Sequence, residues 1–295
     1  LVVTAIITIL AATLLLALAR AREQARRAVC ANNLKQWGLI FKMYTNEWNG
    51  RFPPLVHNPI APDGSIYVLN DRWTGKAFIP DVKALYPDYW NDLNLNICPS
   101  DPRTRNERMD GDDPNNDWVY NGQVMINNVD GGSYEYIGYA AQGEPMGCCA
   151  VIVLDIIADA FSADQLDPYG MRAAGFDVDI PCGPGTICNT LNNVQNPNLP
   201  GYSCGWQNPT TIYRLREGIE RFFITNINQP AGSAEAQSDI AVMYDLVSQR
   251  SGEFNHVPGG CNVLFLDGHV EFVKYPGRFP VTKELAYLVG LEQTQ

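Results

Sequence analysis

The chain has 295 residues, of which 46% are hydrophobic, and its formal net charge at pH 7 is −11. This apolar content excludes a disordered chain, and the lack of a Gly and Pro period excludes a collagen-like one. The acidic balance argues against a nucleic-acid partner, because phosphate contacts need a basic face. The charge is divided unevenly, since residues 1–50 carry six Lys/Arg and two Asp/Glu, a net +4 that leaves −15 for residues 51–295.

The first nineteen residues, Leu1 to Ala19, contain no charged residue, no Pro and no Gly. As a helix they would extend over roughly 28 Å, about the thickness of the hydrocarbon core of a bilayer. Strong helix formers continue the chain where a secretory signal would show a small-residue cleavage site. We therefore predict one long helix over residues 1–47, with residues 1–19 in a membrane or against other apolar helices and residues 20–47 packed on a head of residues 48–295.

The second half of this helix is amphipathic. Five apolar residues recur at spacings of 4, 3, 4 and 3 and so share one stripe: Cys30, Leu34, Trp37, Phe41 and Tyr44. We expect this stripe to be buried against the head, while Arg26, Lys35 and Lys42 point elsewhere. Asn49-Gly50 and Pro53-Pro54 are typical of a helix end, so the helix should stop at about Asn46.

The head is rich in loops. Ala150–Ile157 and Ala241–Leu246 are apolar runs of strand length, and residues 165–215 lack periodicity, which predicts an irregular insertion. Asp267-Gly268, flanked by apolar residues, predicts a hairpin with a two-residue turn. That turn would pair Phe265 with Val270 and Val263 with Phe272, and would place these four residues on one face, against the helix stripe. His269 would then point away from Val263 and Phe265. A helix on an antiparallel sheet gives an α+β fold.

Eight cysteines favour an oxidising compartment and disulfides. A bridge between Cys30 and Cys98 would tie the helix to the head, and two buried free thiols are the alternative. The adjacent pair Cys148-Cys149 is expected to bond elsewhere in the chain. The pairing of six cysteines stays open: Cys148, Cys149, Cys182, Cys188, Cys204 and Cys261.

One acidic segment offers hard oxygen ligands of the kind that Ca²⁺ prefers: Asp110, Asp112, Asp113, Asn115 and Asp117. It lacks the spacing of an EF-hand, and a solvated acidic turn is the alternative interpretation. No other cofactor is indicated. His256, Asp267 and His269 raise the question of an acid–base or metal site, but no Ser-His-Asp or zinc motif accompanies them. We therefore expect a protein without enzymatic activity.

The first 54 residues resemble the N-terminal region of type IV pilin-like proteins, specifically the large bacterial group with pseudopilin-type N-termini. The similar elements are Ala-Arg-Glu-x-Ala-Arg-Arg, Cys-x-x-Asn-Leu-Lys-Gln, Met-Tyr and Asn-Gly-x-Phe-Pro-Pro. Ile97–Asp101 resembles the Cys-Pro-Ser element of the same group. His256 followed by Asp267-Gly268 is similar to its C-terminal signature, with ten intervening residues where the group has about nine.

The resemblance implies a structural subunit that is held in the inner membrane by a single span and then polymerises with identical subunits into an extracellular helical filament. It also implies a removed leader and an N-methylated mature start, several residues before Leu1. Leu16 stands where the family often has a kinking Pro, so the helix should lack a Pro-induced break. Small residues would let neighbouring helices approach in the filament core: Ala5, Ala11, Ala12 and Ala17.

Four arginines follow the apolar half and form what we call the basic collar: Arg20, Arg22, Arg26 and Arg27. The positive-inside rule would place this end in the cytoplasm, whereas the cysteines and the resemblance place it outside. We favour the outside, because a leader would carry its own Lys/Arg. In a filament the basic collar would meet acidic surfaces of neighbouring subunits. The alternatives are a minor pseudopilin of a type II-like secretion system and a membrane-tethered protein that binds carbohydrate through Tyr202, Trp206 and Tyr213.

Overall fold

The structure is a computed structural model. It describes residues 2–55, 79–101, 109, 111, 117–126, 129, 132–140, 179–181, 211–222, 237–247, 254–256, 259–283 and 285–286. The α-helices with defined bounds in these ranges are α1 (Val2–Glu47) and α2 (Val82–Leu85), and residues 237–239 are also helical. The strands are β1 (Val119–Tyr120), β2 (Gln123–Val124), β3 (Tyr134–Tyr136), β4 (Ile180–Pro181), β5 (Thr211–Ile212), β6 (Ala241–Asp245), β7 (Gly260–Phe265) and β8 (Val270–Lys274).

Helix α1 is continuous over 46 residues and contains no Pro. It ends where Asn49 (φ 54°) and Gly50 (φ 78°) adopt left-handed backbone conformations. The Gly50 amide donates to the Thr45 carbonyl at 2.8 Å, which satisfies one of the last free carbonyls of the helix. The predicted unbroken helix is therefore confirmed.

The main sheet has four antiparallel strands in the order β3-β6-β7-β8. Two short ladders, β1-β2 and β4-β5, accompany it. Helix α1 packs on strands of this sheet, so the predicted α+β fold is confirmed. The strand predicted at Ala241–Leu246 is found as β6, whereas the one at Ala150–Ile157 lies outside the described residues.

The predicted helix stripe forms the core between helix and head. Each of its five side chains is at most 4% exposed: Cys30, Leu34, Trp37, Phe41 and Tyr44. The ring of Trp37 lies 4.8 Å from that of Trp90, and the ring of Phe41 lies 5.0 Å from that of Tyr136. Arg26 and Lys35 are exposed, as expected. Burial of large aromatic side chains is the main source of stability for this contact.

The register predicted for the C-terminal hairpin was wrong by one residue. Leu264 pairs with Val270 and Val263 with Glu271, because the turn has three residues, Leu266 to Gly268. The Gly268 amide donates to the Phe265 carbonyl at 2.9 Å, and Gly268 has φ 90°. This is a type I turn followed by a glycine in the left-handed region, and Asp-Gly suits it as well as the predicted two-residue turn.

The shifted register exchanges the faces of β7 relative to β8, so Phe272 lies on the helix side as predicted but Phe265 does not. Leu264 and Phe272 lie on the helix side, where a Cβ added at Gly38 would meet Leu264 Cδ1 at 3.1 Å and the Arg27 guanidinium lies 4.6 Å from the Phe272 ring centre. Phe265 lies on the opposite side and stacks on His269, with ring centroids 4.6 Å apart. The prediction that His269 points away from Phe265 was therefore wrong.

Candidate functional site at the helix–head junction

The apolar half of α1 lies outside the head. Every side chain described between residues 2 and 19 is exposed, although this part of the helix is strongly apolar. By length and composition this helix is able to cross a membrane. A group of side chains, most of them buried, lies where the helix leaves the sheet. We call this group the helix–head junction: Glu23, Arg27, Cys30, Cys98, Asp245, His256 and Asn262.

A disulfide joins the two parts covalently. Cys30 of α1 is bonded to Cys98, their Cα atoms lie 5.4 Å apart, and both residues are fully buried. Cys98 follows a 3-10 helix, Leu93–Asn96, whose N-cap Asp92 accepts a hydrogen bond from the Asn94 amide. The predicted bridge between Cys30 and Cys98 is confirmed.

His256 lies between two carboxylates. Its Nδ1 is 3.0 Å from Glu23 Oε1 and its Nε2 is 3.1 Å from Asp245 Oδ2, and the side chain is fully buried. Burial by itself lowers the pKa of His256, but hydrogen bonds and charges from Asp245 and then Glu23 outweigh it, so the pKa is raised. Through its two ring nitrogens His256 therefore connects Glu23 of α1 to Asp245 of β6.

Asp245, at the end of β6, is the buried anion of the junction. Its Oδ2 accepts hydrogen bonds from the backbone and side-chain nitrogens of Asn262, both at 2.8 Å. Its Oδ1 is buried and has no hydrogen-bond partner among the described residues. A buried carboxylate needs such donors, because desolvation costs several kcal/mol per ion.

Glu23 closes the junction on the solvent side, with its side chain 26% exposed. Besides His256 it accepts from Arg27 Nε at 3.2 Å and from Ser100 Oγ at 3.3 Å. Arg27 in turn covers the ring of Phe272. The basic collar is thus divided: Arg27 belongs to the junction, whereas Arg20, Arg22 and Arg26 are exposed on the helix surface.

The C-terminal residues that resemble the pilin-like signature lie at two separate places. His256 is part of the junction, whereas Asp267 and Gly268 form the turn between β7 and β8. In that turn Asp267 Oδ1 accepts from the His269 backbone amide at 3.0 Å and lies 2.6 Å from His269 Nδ1. His256 therefore stabilises the junction, and Asp267 and Gly268 stabilise the turn. The three residues do not come together in one cluster.

One cysteine prediction was wrong. Cys261, predicted to be in a disulfide, has a free thiol and is fully buried in β7. Burial, and then the charges of Asp245 and Glu135, raise the pKa of Cys261 well above its ordinary value, so the thiol stays protonated. The other five cysteines of open pairing lie outside the described residues: Cys148, Cys149, Cys182, Cys188 and Cys204.

The remaining predicted sites are only partly described. Four of the possible calcium ligands lie outside the described residues (Asp110, Asp112, Asp113 and Asn115), while Asp117 is buried next to β1. Ala11, Ala12 and Ala17 are exposed on the apolar half, and the side chain of Ala5 is outside the described set. Tyr213 is half-buried, and Tyr202 and Trp206 are not described.

Glu23, Asp245 and Asn262 were missed at the sequence level. One signal was available for each acid. Glu23 is the first acidic residue of the chain and stands among arginines, and Asp245 ends an apolar run, where a carboxylate needs a partner. Neither signal identifies the partner, because His256 is 233 positions away from Glu23.

A second buried acid lies beside the junction. Glu135 on β3 accepts a hydrogen bond from the Tyr244 hydroxyl, and burial raises its pKa from 4.5 to about 7. The folded chain therefore keeps this proton between pH 4.5 and about 7 while the unfolded chain loses it, so the free energy of unfolding falls as the pH rises through this range.

Replacement of Glu135 by Gln should remove this pH dependence. At pH 8 we expect the variant to be more stable than the wild-type chain by on the order of 2 kcal/mol, since no buried proton has to be lost. Urea unfolding at pH 4.5 and pH 8 measures the difference. Equal stability gains at both pH values would contradict the raised pKa of Glu135.

The fold and the junction together define a class: an α+β head fixed to the second half of a long helix whose apolar first half projects from it. A family model described as "Protein of unknown function (DUF1559)" matches residues 19–65, which is 47 of the 295 residues. This family is associated with pilin-like and pseudopilin proteins. The match begins at the end of the apolar half and includes Glu23, Arg27 and Cys30. No curated protein and no solved structure matches the chain.

Proposed function

We propose that this chain is a pilin-like structural subunit that polymerises through its apolar half-helix into an extracellular filament. The observation that carries the proposal is the exposure of every side chain described between residues 2 and 19, beside a second half whose apolar stripe is buried against the head. Nine Val, Ile and Leu side chains of this segment are between 46% and 74% exposed. Burying each contributes about 1.5–3 kcal/mol, so a cover of lipid or other helices would gain on the order of 10 kcal/mol.

In this proposal the membrane, and afterwards the filament, buries the exposed apolar side chains of this segment. The single span holds the subunit in the inner membrane first, and identical helices then replace the lipid in a helical homopolymer. Ala11, Ala12 and Ala17 permit close approach of neighbouring backbones, as small residues do between membrane helices. In this proposal the chain has a structural role and no catalytic one.

The helix–head junction suits a subunit under tension. A pull on the apolar half reaches the head at the point where α1 leaves the sheet. There the disulfide, the Glu23–His256–Asp245 chain and the Arg27–Phe272 contact connect the helix to β6, β7 and β8. Helix and head would therefore move as one body in a filament.

Electron microscopy of material sheared from the cell surface tests the polymer. We expect a helical filament with a core of packed α-helices, and we expect Leu14→Asp with Leu15→Asp to abolish it, because buried carboxylates in that core are costly. Lys35→Asp, on the exposed side of the packed half, is the matched control. Detergent-solubilised monomers alone would favour a membrane-tethered binding protein, and short assemblies of low abundance a minor pseudopilin.

Charge reversal in the basic collar tests how subunits stack. Arg22→Glu with Arg26→Glu should lower filament yield, because exposed arginines would no longer face an acidic neighbouring head. Arg27 is left unchanged because it is part of the junction, so the head should keep its thermal stability. The control is Lys35→Glu, and an unchanged filament yield for the double variant would contradict the stacking role.

A further inference from the structure

Four residues at the centre of the junction carry the donor types of a zinc site. Cys30, Cys98, Asp245 and His256 each place one potential ligand atom there, and these atoms all lie within 4.8 Å of one another. His256 Nε2 is 3.6 Å from Cys98 Sγ and 3.1 Å from Asp245 Oδ2. Donors of a tetrahedral zinc site, with bonds of about 2.0–2.3 Å, lie roughly 3–4 Å apart, so two of the required separations already exist.

The surroundings of His256 match those of a metal-bound imidazole. Its Nδ1 faces Glu23 Oε1 at 3.0 Å, while Nε2 faces the sulfur and Asp245. A carboxylate that accepts from the second ring nitrogen fixes the tautomer and orientation of zinc-binding histidines. Asp245 also keeps one buried oxygen without a hydrogen-bond partner among the described residues. Glu23 is thus a positioning residue. The ligands are the four residues named above: Cys30, Cys98, Asp245 and His256.

We propose that reduction of the Cys30–Cys98 disulfide converts the helix–head junction into a structural Zn²⁺ site formed by Cys30 Sγ, Cys98 Sγ, His256 Nε2 and one carboxylate oxygen of Asp245. A phosphine breaks the S–S bond by a two-electron reduction: it is oxidised to the phosphine oxide with the oxygen of one water molecule, and the two protons of that water complete the thiols. Zn²⁺ then displaces both thiol protons and binds Nε2 of the neutral imidazole, whose Nδ1 proton faces Glu23.

The chemistry favours zinc over calcium. Two thiolates and an imidazole are soft and borderline ligands that suit Zn²⁺, whereas Ca²⁺ takes oxygen ligands only. All four ligand residues are buried, as in closed structural zinc sites that keep no open position for a substrate. The metal would hold α1 against β6 in the chain whose disulfide has not formed, so the junction would be closed in both redox states.

The test uses the full chain, unfolded with a phosphine reductant and refolded with ZnCl₂ or CoCl₂. Metal analysis together with Zn-edge absorption is expected to show a bound ion with two sulfur ligands and an imidazole. The Co²⁺ form should show thiolate charge-transfer and tetrahedral d–d bands. The oxidised chain should lack this signal. His256→Gln should remove the imidazole signal, and Glu23→Gln should weaken binding by about 10–100-fold.

The six other cysteines require their own control. Cys261→Ser removes the buried free thiol of β7 without touching a proposed ligand, and it should leave the spectrum unchanged. Cys98→Ser should abolish the thiolate bands of this site, and its metal content under the same conditions provides a second readout if its head is less stable. A reduced chain that binds no metal, or spectra that survive both Cys98→Ser and His256→Gln, would overturn the zinc site. Neither result depends on filament formation.

Discussion

Replacing Cys30 and Cys98 together by alanine should lower the free energy of unfolding by about 4 kcal/mol. The two residues are separated by 68 positions, and cross-linking a loop of that length removes chain entropy worth about 4 kcal/mol from the unfolded state. Both side chains are fully buried, so their truncation also removes packing contacts. This loss is a large fraction of the 5–15 kcal/mol typical of a folded domain.

Urea unfolding followed by circular dichroism measures this effect. The matched control is Cys261→Ala, which removes an equally buried sulfur that is not in a disulfide and should cost only about 1 kcal/mol. If the double variant lost no more stability than Cys261→Ala, the disulfide would make no net contribution to the attachment of α1 to the head.

Removal of the Asp245 carboxylate is the second change with a large expected effect. Asp245→Ala leaves the His256 ring and both nitrogens of Asn262 without their buried acceptor. Breaking a buried ion pair from one side typically costs 3–5 kcal/mol, and we expect about 4 kcal/mol here. Asp245→Asn keeps the shape and one acceptor, so it should cost less.

The pH dependence separates the ion pair from simple packing. The pKa of His256 is raised above its ordinary value of 6.5, so the stability that its proton contributes is present below pH 6.5 and is lost as the pH rises through the folded pKa. In Asp245→Asn this loss should shrink. Unfolding curves from pH 6 upward, recorded in the Glu135→Gln background to remove the lower window, provide the measurement. A slope identical with and without Asp245 would contradict the pairing.

The redox and ionic contacts of the junction are adjacent but separable. Cys98 Sγ lies 3.6 Å from His256 Nε2, so the disulfide and the imidazole share one buried volume. Losses from the cysteine and Asp245 variants should therefore not add, because neighbouring sites couple. A double-mutant cycle would give their coupling free energy. Coupling would show that the helix is held by one cooperative unit and not by two independent connections.

Local patterns predicted much of the helix and its partner. The uncharged span to Ala19, the 4-3-4-3 spacing from Cys30 to Tyr44 and the Asn49-Gly50 end are all short-range signals, and the structure confirms each. The bridge from Cys30 to Cys98 followed from placing one cysteine on the buried stripe and one beyond it. These predictions succeeded because helix periodicity and end signals depend on residues only a few positions apart.

The register of the C-terminal hairpin could not be predicted from the local sequence. Asp267-Gly268 marked the turn correctly, but two loop lengths fit the same dipeptide, and a difference of one residue exchanges the faces of β8 relative to β7. Packing against α1 selects the longer turn, since it places Leu264 and Phe272 on the helix side. The alternation of side chains along β7 and β8 is compatible with both registers, so it does not distinguish them.

By itself the sequence determined a division of the chain: an apolar span, a basic collar and an acidic head fixed to an amphipathic half-helix. Only the tertiary structure decided that Arg27 joins the head while Arg20, Arg22 and Arg26 stay exposed, and that His256 meets Glu23 and Asp245. The physical reason is distance along the chain. Apolar periodicity depends on residues that are close in the chain. A buried ion pair is formed by side chains that meet only after helix and sheet have packed.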